Sequence, residues 1–289
     1  MFLHSLCLIC SSTSLKPLEA YKACHLCKCI KCGFVFSQKI PSEGELIKHY
    51  EGYGRNDYLS PITIKRYHEL LDKLEKFRKT NRILDVGCGI GYFLEVAKER
   101  GWEVYGTEYT DRAIEICEEK GITMKQGKLD PTDFEPESFD VITSFEVLEH
   151  INNPIEENLN FYKLLRKGGL VYLTTPNFNS LLRYRLKERY DVITYPEHLS
   201  YYTPKTLNKL YTNCGFKKLK IQTTGISLTR LKTSQGKTSQ AFISETSDDE
   251  NLRKQIEEKA YLQFAKKVVN GTLTLFGVGD SLKGWFVKR

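Results

Sequence analysis

Residues Ile83 to Gly91, which read I-L-D-V-G-C-G-I-G, decide the fold of this chain. An apolar strand that carries Asp85 near its end runs into Gly87 and Gly89, and a helical pattern of apolar residues follows the third glycine. This order predicts a strand, a tight turn and a helix N-terminus. Glycine is needed because the backbone must turn sharply and let a ligand approach closely, while free N–H groups and the helix dipole form a polar cradle. The loop is suited to holding a nucleoside.

The spacing of the glycines discriminates between nucleotide classes. A dinucleotide fingerprint has the form G-x-G-x-x-G, but Tyr92 occupies the position of its last glycine, so the spacing disfavours NAD. The pattern D-x-G-x-G-x-G resembles the first motif of the class I S-adenosylmethionine (AdoMet)-dependent methyltransferases. That resemblance implies that AdoMet is the cofactor and that it is bound by Asp85, Gly87, Gly89 and Gly91.

Three further stretches carry the same resemblance in the same order. The strand 103–107 ends at Glu108, where a carboxylate could accept two hydrogen bonds from a ribose diol. Residues 138–150 are similar to the fourth strand and following loop of the ubiquinone-pathway O-methyltransferases, and the resemblance adds Phe145 to the cofactor-binding residues. Residues 165–177 resemble the Gly-Gly turn and fifth strand of the family. Many relatives have an acidic residue after the third strand that meets the adenine amino group, and here Asp130 is the candidate for that role.

The alternation of strands and helices from Asn81 onward predicts an α/β, doubly wound, mostly parallel sheet. The resemblance implies seven strands in a Rossmann-like methyltransferase fold, with the sixth strand at 216–223 and an antiparallel seventh at 282–288. We expect three parts, listed by their ranges: a zinc-ribbon-like module (1–40), a linker with an amphipathic helix (41–80) and the methyltransferase domain (81–289). An insertion is expected at 178–202, a mobile Ser/Thr/Gln-rich segment at 233–249 and a helix at 251–269.

Composition limits the class of protein. The chain has 289 residues, of which 40% are hydrophobic and 27% charged, and this is typical of a soluble globular protein. No apolar stretch is long enough to span a bilayer, and the apolar start of the chain lacks a basic n-region. We therefore expect a cytoplasmic protein without a signal peptide.

Six of the nine cysteines lie in the first 32 residues. Beside a nucleotide-binding core this pattern indicates a metal site, with zinc as the default ion, instead of a disulfide framework. The pairs Cys7-x-x-Cys10 and Cys29-x-x-Cys32 are the predicted ligands, and Ser11 and Gly33 follow them as small residues that help the backbone turn. The alternative second pair is Cys24-x-x-Cys27. The remaining cysteines, at 88, 117 and 214, are expected to be small apolar core residues.

The cysteine-rich module also has a family resemblance. Residues 26–36, followed by 41–46 and 50–53, resemble the zinc-ribbon leader of methyltransferases associated with polysaccharide and natural-product sugar pathways.

Two histidines are candidates for the catalytic base that a hydroxyl acceptor would need. His150 follows the fourth strand at the edge where ligands bind in open α/β sheets, and His198 lies in a segment similar to one that closes over the substrate in related enzymes. The alternative for each is a histidine that only hydrogen-bonds loop backbone.

A basic run in the insertion bears on the acceptor. Arg183, Arg185, Lys187 and Arg189 could grip a phosphate-bearing small molecule, such as a nucleotide-linked sugar or a lipid phosphate, or they could form a solvated helix face. RNA is a rival acceptor, because a basic zinc ribbon could dock on a phosphate backbone.

Two absences from the sequence favour O-methylation. The chain has no Pro-Cys pair of the kind used by pyrimidine C5-methyltransferases, and residues 144–146 read Ser-Phe-Glu in place of the Asn/Asp-Pro-Pro-Tyr of amine methyltransferases. A non-catalytic AdoMet-fold binding protein is the alternative from another class, and the intact Asp85, glycine loop and Glu108 argue against it.

Overall fold

The structure is a computed structural model that describes residues 2–42, 44–45, 59–234, 245 and 247–289. The strands are β1 (Phe2–Leu3), β2 (Leu15–Pro17), β3 (Leu26–Cys29), β4 (Val35–Ser37), β5 (Lys39–Ile40), β6 (Arg82–Val86), β7 (Glu103–Glu108), β8 (Thr123–Gln126), β9 (Phe139–Phe145), β10 (Leu165–Pro176), β11 (Ser200–Tyr201), β12 (Phe216–Thr224) and β13 (Ser281–Lys288). The α-helices are α1 (Pro61–Leu74), α2 (Tyr92–Glu99), α3 (Asp111–Glu119), α4 (Pro154–Leu164), α5 (Leu181–Leu186), α6 (Pro204–Asn213), α7 (Leu228–Ser234), α8 (Asp248–Glu258) and α9 (Ala260–Phe276). Short 3₁₀ turns lie at Glu19–Cys24, Glu75–Phe77, Pro131–Asp133, Leu148–His150 and Lys187–Arg189.

The central sheet has seven strands in the order β12-β13-β10-β9-β6-β7-β8. Every neighbouring pair from β10 to β8 is parallel, and β13 runs antiparallel to both of its neighbours. The predicted doubly wound, mostly parallel sheet with an antiparallel seventh strand is therefore confirmed. The chain reverses its direction of travel across the sheet between β6 and β9, and their carboxyl ends form the crevice in which open α/β sheets bind ligands.

Helix α1 covers one face of the sheet, as its apolar periodicity predicts. Ser60 caps it, because the Ser60 hydroxyl accepts a hydrogen bond from the Ile62 N–H at 3.2 Å. Its buried residues are Ile62, Leu70, Leu71 and Leu74. The glycines predicted to form the preceding loop, Gly52 and Gly54, lie outside the described residues.

Several predicted element boundaries differ from the observed ones. β10 begins at Leu165, and the predicted Gly-Gly turn lies inside it as an irregularity in the pairing with β9, where Gly168 has a φ of 77°. The single helix predicted at 251–269 is two helices, α8 and α9, because Lys259 between them has extended dihedral angles. Most of the segment 233–249 predicted to be mobile lies outside the described residues, and its last two residues begin α8.

The N-terminal module and the insertion share one sheet. Its order is β11-β4-β3-β2, and β11 comes from the insertion at 178–202. The Ser37 N–H donates to the Leu199 carbonyl at 2.8 Å, and the rings of Phe34 and Tyr202 lie 5.2 Å apart. The module is thus packed against the segment that contains His198, over a separation of about 160 residues.

Among the described residues, no helix has the length and apolar character needed to cross a lipid bilayer.

Candidate active site and cysteine cluster

The glycine loop joins β6 to α2 with three residues in the left-handed region. Gly87, Gly89 and Gly91 have φ values of 71°, 55° and 76°. A Cβ on Gly87 would lie 2.6 Å from a methyl carbon of Val147, and one on Gly91 would lie 2.6 Å from the Cδ1 of Ile122. Both conformation and space therefore require glycine at these two positions.

Glu108 ends β7 beside this loop. One carboxylate oxygen accepts from the Gly89 N–H at 3.0 Å, and the other accepts from the Tyr109 N–H at 2.7 Å. These two bonds hold the carboxylate at the carboxyl edge of the sheet, where it is only half-buried. The arrangement suits the predicted contact with a ribose diol, because a carboxylate has room for further hydrogen bonds at each oxygen.

Asp85 is 2% exposed and accepts a hydrogen bond from the Thr143 hydroxyl at 2.7 Å. This bond joins the end of β6 to β9, so Asp85 holds the strand from which the glycine loop begins.

Phe145 and Asp130 lie on opposite sides of the glycine loop. Phe145 ends β9 and packs edge-on against Phe93 and Tyr172, with ring centroids 5.0 and 5.7 Å away. Asp130 is exposed, and its carboxylate accepts from the N–H and the hydroxyl of Thr132 at 2.8 and 2.7 Å. These bonds lower the pKa of Asp130. The carboxylate of Asp130 thus caps the 3₁₀ turn that follows β8, and its second oxygen is the one that could meet an adenine.

The two candidate histidines meet, although 47 residues separate them in the chain. Their ring centroids lie 4.8 Å apart at an interplanar angle of 71°. Nδ1 of His150 lies 2.8 Å from the Glu197 carbonyl, and Nδ1 of His198 lies 2.6 Å from the Val192 carbonyl. Because a carbonyl only accepts, each Nδ1 carries a hydrogen, and an imidazole that is neutral then has its lone pair on Nε2. Burial, and next the charge of His198, lowers the pKa of His150 to about 4, so its imidazole is neutral at neutral pH.

Glu149 joins this pair and was not among the predicted site residues. It is 3% exposed and accepts from the Thr175 hydroxyl at 2.8 Å. One donor atom each of Glu149, His150 and His198 lies within 4.8 Å of the others. Burial, and next the charge of Glu146, raises the pKa of Glu149 well above its usual value. Two imidazoles and a carboxylate could hold a divalent cation. In the sequence, the position of Glu149 next to His150 was the only indication that it belongs to the site. Its contact with His198 depends on tertiary structure.

Glu146 is a second residue that sequence reasoning missed. It follows β9 with a φ of 53°, an uncommon conformation for a non-glycine residue, and its N–H donates to the Thr174 carbonyl at 2.9 Å. Its side chain is exposed at the carboxyl edge. The residue type of Glu146 does not indicate its positive φ, so this feature could not be predicted from the sequence.

The four predicted metal ligands converge at the N-terminus. Sγ of Cys7 lies 3.5 Å from Sγ of Cys32, and Sγ of Cys10 lies 3.6 Å from Sγ of Cys29. Four thiolates at about 2.3 Å from one zinc ion would have sulfur atoms about 3.8 Å apart, so the observed spacing fits a tetrahedral site. Burial opposes ionisation of Cys29, but hydrogen bonds from the Cys32 N–H and the neighbouring thiols outweigh it and lower its pKa to about 7.

The alternative pair does not join the cluster. Cys24 donates to the Ile193 carbonyl at 3.5 Å, and Cys27 lies in β3 opposite Pro17 and Phe36. The predicted turns after the chelating pairs are confirmed, since Ser11 and Gly33 have φ values of 53° and 82°. The three cysteines of the core, Cys88, Cys117 and Cys214, are buried as predicted.

The basic run of the insertion has side chains in two different environments. Arg183 stacks on the rings of Phe178 and Tyr184 at 4.3 and 4.0 Å and donates to the Tyr21 hydroxyl at 3.4 Å. The other three side chains, Arg185, Lys187 and Arg189, are exposed. The run is therefore partly a contact with the N-terminal module and partly a solvated surface.

Comparisons with known proteins agree with this architecture. The ubiquinone biosynthesis O-methyltransferase of Roseobacter denitrificans is 31% identical over 157 residues, which are 52% of this chain and 60% of that protein. The enzyme of the same name from Saccharophagus degradans is 30% identical over 128 residues, which are 42% of this chain and 52% of that protein. The chain thus matches little more than half the length of these curated relatives.

Solved structures show the same fold. A SAM-dependent methyltransferase from Archaeoglobus fulgidus superposes with a TM-score of 0.52 at 19% identity, covering 84% of this chain and 98% of that one. The profile of the family described as "Methyltransferase domain" matches residues 58–221, which include β6 to β11 and most of the candidate site. The chain belongs to this methyltransferase family.

Proposed function

We propose that the protein binds AdoMet and methylates a hydroxyl group of a small molecule. The observation that carries the proposal is the shared carboxyl edge, where Glu108 is fixed against the glycine loop and His150 and His198 meet after β9. Glu108 and the glycine loop together fit a nucleoside, and the histidine pair offers a neutral imidazole to an acceptor.

In this proposal Glu108 holds the ribose, Asp130 meets the adenine, and Phe145 lines the cofactor cleft on the other side of the glycine loop. AdoMet supplies a methyl group on a sulfonium, which an aligned nucleophile can displace in line. Nε2 of His150 accepts the proton of the acceptor hydroxyl, and His198 orients that hydroxyl. The Glu197 carbonyl keeps His150 in the required tautomer at 2.8 Å.

We further propose that Cys7, Cys10, Cys29 and Cys32 hold a structural zinc ion. The sulfur spacing supports it, and all four positions are filled by protein ligands, so no coordination position is left for substrate. The described cysteines are all free thiols, which is consistent with the reducing cytoplasm as the compartment.

The acceptor class is the open part of the proposal. The similarity to ubiquinone biosynthesis O-methyltransferases supports a small phenolic or quinol-like acceptor. Nucleotide-linked sugars and lipid phosphates are further small-molecule candidates, and RNA is the macromolecular alternative. A non-catalytic AdoMet-binding protein is the alternative without chemistry.

A screen with radiolabelled AdoMet tests the proposal. The purified chain is incubated with quinol precursors, nucleotide sugars, lipid phosphates and structured RNA, with Glu108→Ala as the matched protein that should transfer much less label at limiting AdoMet. Label in a small molecule supports the proposal, and label in RNA alone contradicts the acceptor class. Tight AdoMet binding without transfer to any of them would favour the non-catalytic alternative.

A further inference from the structure

Three cationic residues lie where α1 meets the carboxyl edge of the sheet, a contact marked by the rings of Tyr67 on α1 and Phe145 at the end of β9, whose centroids are 6.2 Å apart. Arg66 sits on the inward stripe of α1, one turn after Ile62 and one turn before Leu70, both of which are buried. Within the part of the chain that the structure describes, the guanidinium of this half-buried arginine makes no hydrogen bond or ion pair. The carboxylates of Glu257, Glu69 and Glu250 act on this guanidinium from a distance, but none pairs with it directly. A half-buried guanidinium without a direct partner is uncommon, because burial of a charge is costly unless the charge is paired.

Lys283 brings a second cation to the same place. It pairs with Thr174 across β13 and β10, and Thr174 pairs in turn with Phe145 at the end of β9. It shares its face of β13 with Trp285, whose ring packs 4.6 Å from that of Tyr172. The ammonium of this half-buried lysine also has no hydrogen bond or ion pair among the described residues.

Lys266 of α9 completes the cluster. Its Nζ lies 3.6 Å from the Glu257 carboxylate, which also pairs with Lys65 of α1, so one carboxylate serves two ammonium groups. The pKa values of Lys283 and Lys266 are both lowered, first by burial and then by neighbouring positive charge. Burial, and next the charges of Arg66 and Lys73, lowers the pKa of Lys283 to about 8. Burial and Arg66 also lower the pKa of Lys266.

We propose that Arg66, Lys283 and Lys266 bind an oxyanion carried by the methyl acceptor, with a phosphate ester as the class that fits best. The guanidinium offers a planar fork to two oxygens and the ammonium groups act as point charges. The site lies beside Phe145 at the carboxyl edge, so an acceptor anchored there by its anion reaches the cleft between the glycine loop and His150. The identification of the ligand as the methyl acceptor rests on the proposed function. In this inference the anion is bound by Arg66, Lys283 and Lys266, and not by the basic run of the insertion.

Glu146 is the acidic group to consider as an internal partner. It is exposed at the same edge, and its charge favours the protonated form of Lys283. The structure shows no ion pair between these two described residues. The carboxylate therefore moderates the cluster and does not neutralise it.

Calorimetric titration of the full chain with inorganic phosphate in a phosphate-free buffer tests the site. We expect saturable binding that Arg66→Gln and Lys283→Met each weaken by roughly tenfold or more, as for the loss of a charge-assisted hydrogen bond. The matched control is Lys217→Met, an exposed lysine of β12 in the same sheet, which should leave phosphate affinity unchanged. Sulfate should compete, whereas acetate should compete only if the site accepts carboxylates equally well.

A second readout distinguishes the site from a general attraction to basic protein. Phosphate should raise the pKa of Lys283, measured by NMR of ¹³C-methylated lysines. The NMR signal of Lys217 should not respond to phosphate. Absence of saturable binding, or equal weakening by the Lys217 control, would overturn the proposal. AdoMet affinity measured in parallel separates the two proposals: phosphate binding without AdoMet binding contradicts the proposed function alone, and the reverse result contradicts the anion site alone.

Discussion

The carboxyl edge of the sheet has two halves that are built in different ways: the proposed cofactor half, formed by Glu108 and the glycine loop, and the proposed acceptor half, formed by His150 and His198. In the cofactor half, Glu108 is held by N–H groups of the adjacent loop and of its own neighbour, all within one strand-turn-helix unit and the next strand. In the acceptor half, His150 is held by the carbonyl of Glu197, and the segment around His198 is itself paired with β4 of the N-terminal module. The first half follows from local sequence, whereas the second depends on contacts between three distant parts of the chain.

Loss of the cysteine cluster should have the largest effect and should be confined to the acceptor half. Cys29→Ser removes a ligand, and structural zinc sites have apparent binding free energies of about 10–16 kcal/mol at neutral pH. We expect less than one equivalent of zinc by metal analysis and faster hydrogen exchange at Ser37, whose N–H donates to Leu199. AdoMet affinity should change little, because the glycine loop is formed without the module.

The matched control is Cys24→Ser, since Cys24 donates to the Ile193 carbonyl and lies outside the cluster. This variant should keep a full equivalent of zinc. Loss of zinc in Cys24→Ser with retention in Cys29→Ser would move the site to the other cysteine pair. A loss of AdoMet binding as large as the loss of zinc would show that the two halves are not independent.

His150→Ala tests the chemistry of the acceptor half. Removal of a positioned proton acceptor should lower the methylation rate by about 10²–10⁴-fold and leave AdoMet affinity nearly unchanged. The control is His68→Ala, because His68 is exposed on α1 and contributes only its backbone carbonyl to Arg100. A methylation rate of His150→Ala within a few-fold of wild type would show that His150 is not the base, and that alignment of the acceptor is the main contribution to catalysis.

The dependence of the rate on added divalent cations distinguishes a catalytic base from a metal ligand at His150. If Glu149, His150 and His198 hold a divalent cation, methylation should require added Mn²⁺ or Mg²⁺, and His198→Ala should abolish that requirement together with the activity. If His150 is the base, a chelator too weak to remove the cysteine-bound zinc should have no effect on the rate.

The contrast between the halves also explains what the sequence could predict. The glycines at 87, 89 and 91, the strand ending at Glu108 and the cysteine spacing are local patterns, and each was predicted at its observed place. The antiparallel β13 followed from family resemblance. Nothing local places Glu149 beside His198 or pairs β11 with β4, because those contacts depend on chain packing over long separations. The sequence left the basic run of the insertion open between a phosphate grip and a solvated face, and the contact of Arg183 with Tyr21 of the N-terminal module likewise depends on long-range packing.

Glu108→Ala should weaken AdoMet binding by about 1.5–3 kcal/mol, as expected for lost charge-assisted hydrogen bonds. The matched control is Glu103→Ala at the other end of β7, where the carboxylate is exposed and pairs with Arg82 at 3.0 Å. Calorimetry should show a weakened dissociation constant for the first variant only. An unchanged constant for Glu108→Ala would remove Glu108 from the cofactor half.

Glu157 on α4 offers the smallest test, and it reports stability alone. The side chain is 9% exposed, and burial, with the charge of Glu156 next, raises its pKa from 4.5 to about 7. A carboxyl group whose pKa is raised by folding favours the folded state below its unfolded pKa, and this contribution is lost as the pH rises from about 4.5 through 7. At the lower end of this pH range, Glu157→Gln should therefore have nearly the same free energy of unfolding as wild type.

Above the window the two proteins should differ. At about pH 8 Glu157→Gln should be more stable than wild type by about 1–3 kcal/mol, because the amide avoids the cost of ionising a buried carboxyl group. Denaturant unfolding at both pH values measures the difference, with Glu119→Gln on the exposed end of α3 as the control. Equal stabilities of wild type and Glu157→Gln at about pH 8 would show that Glu157 reaches solvent or a cation in the folded protein. The packing around α4 would then be looser than the observed burial of Glu157 indicates.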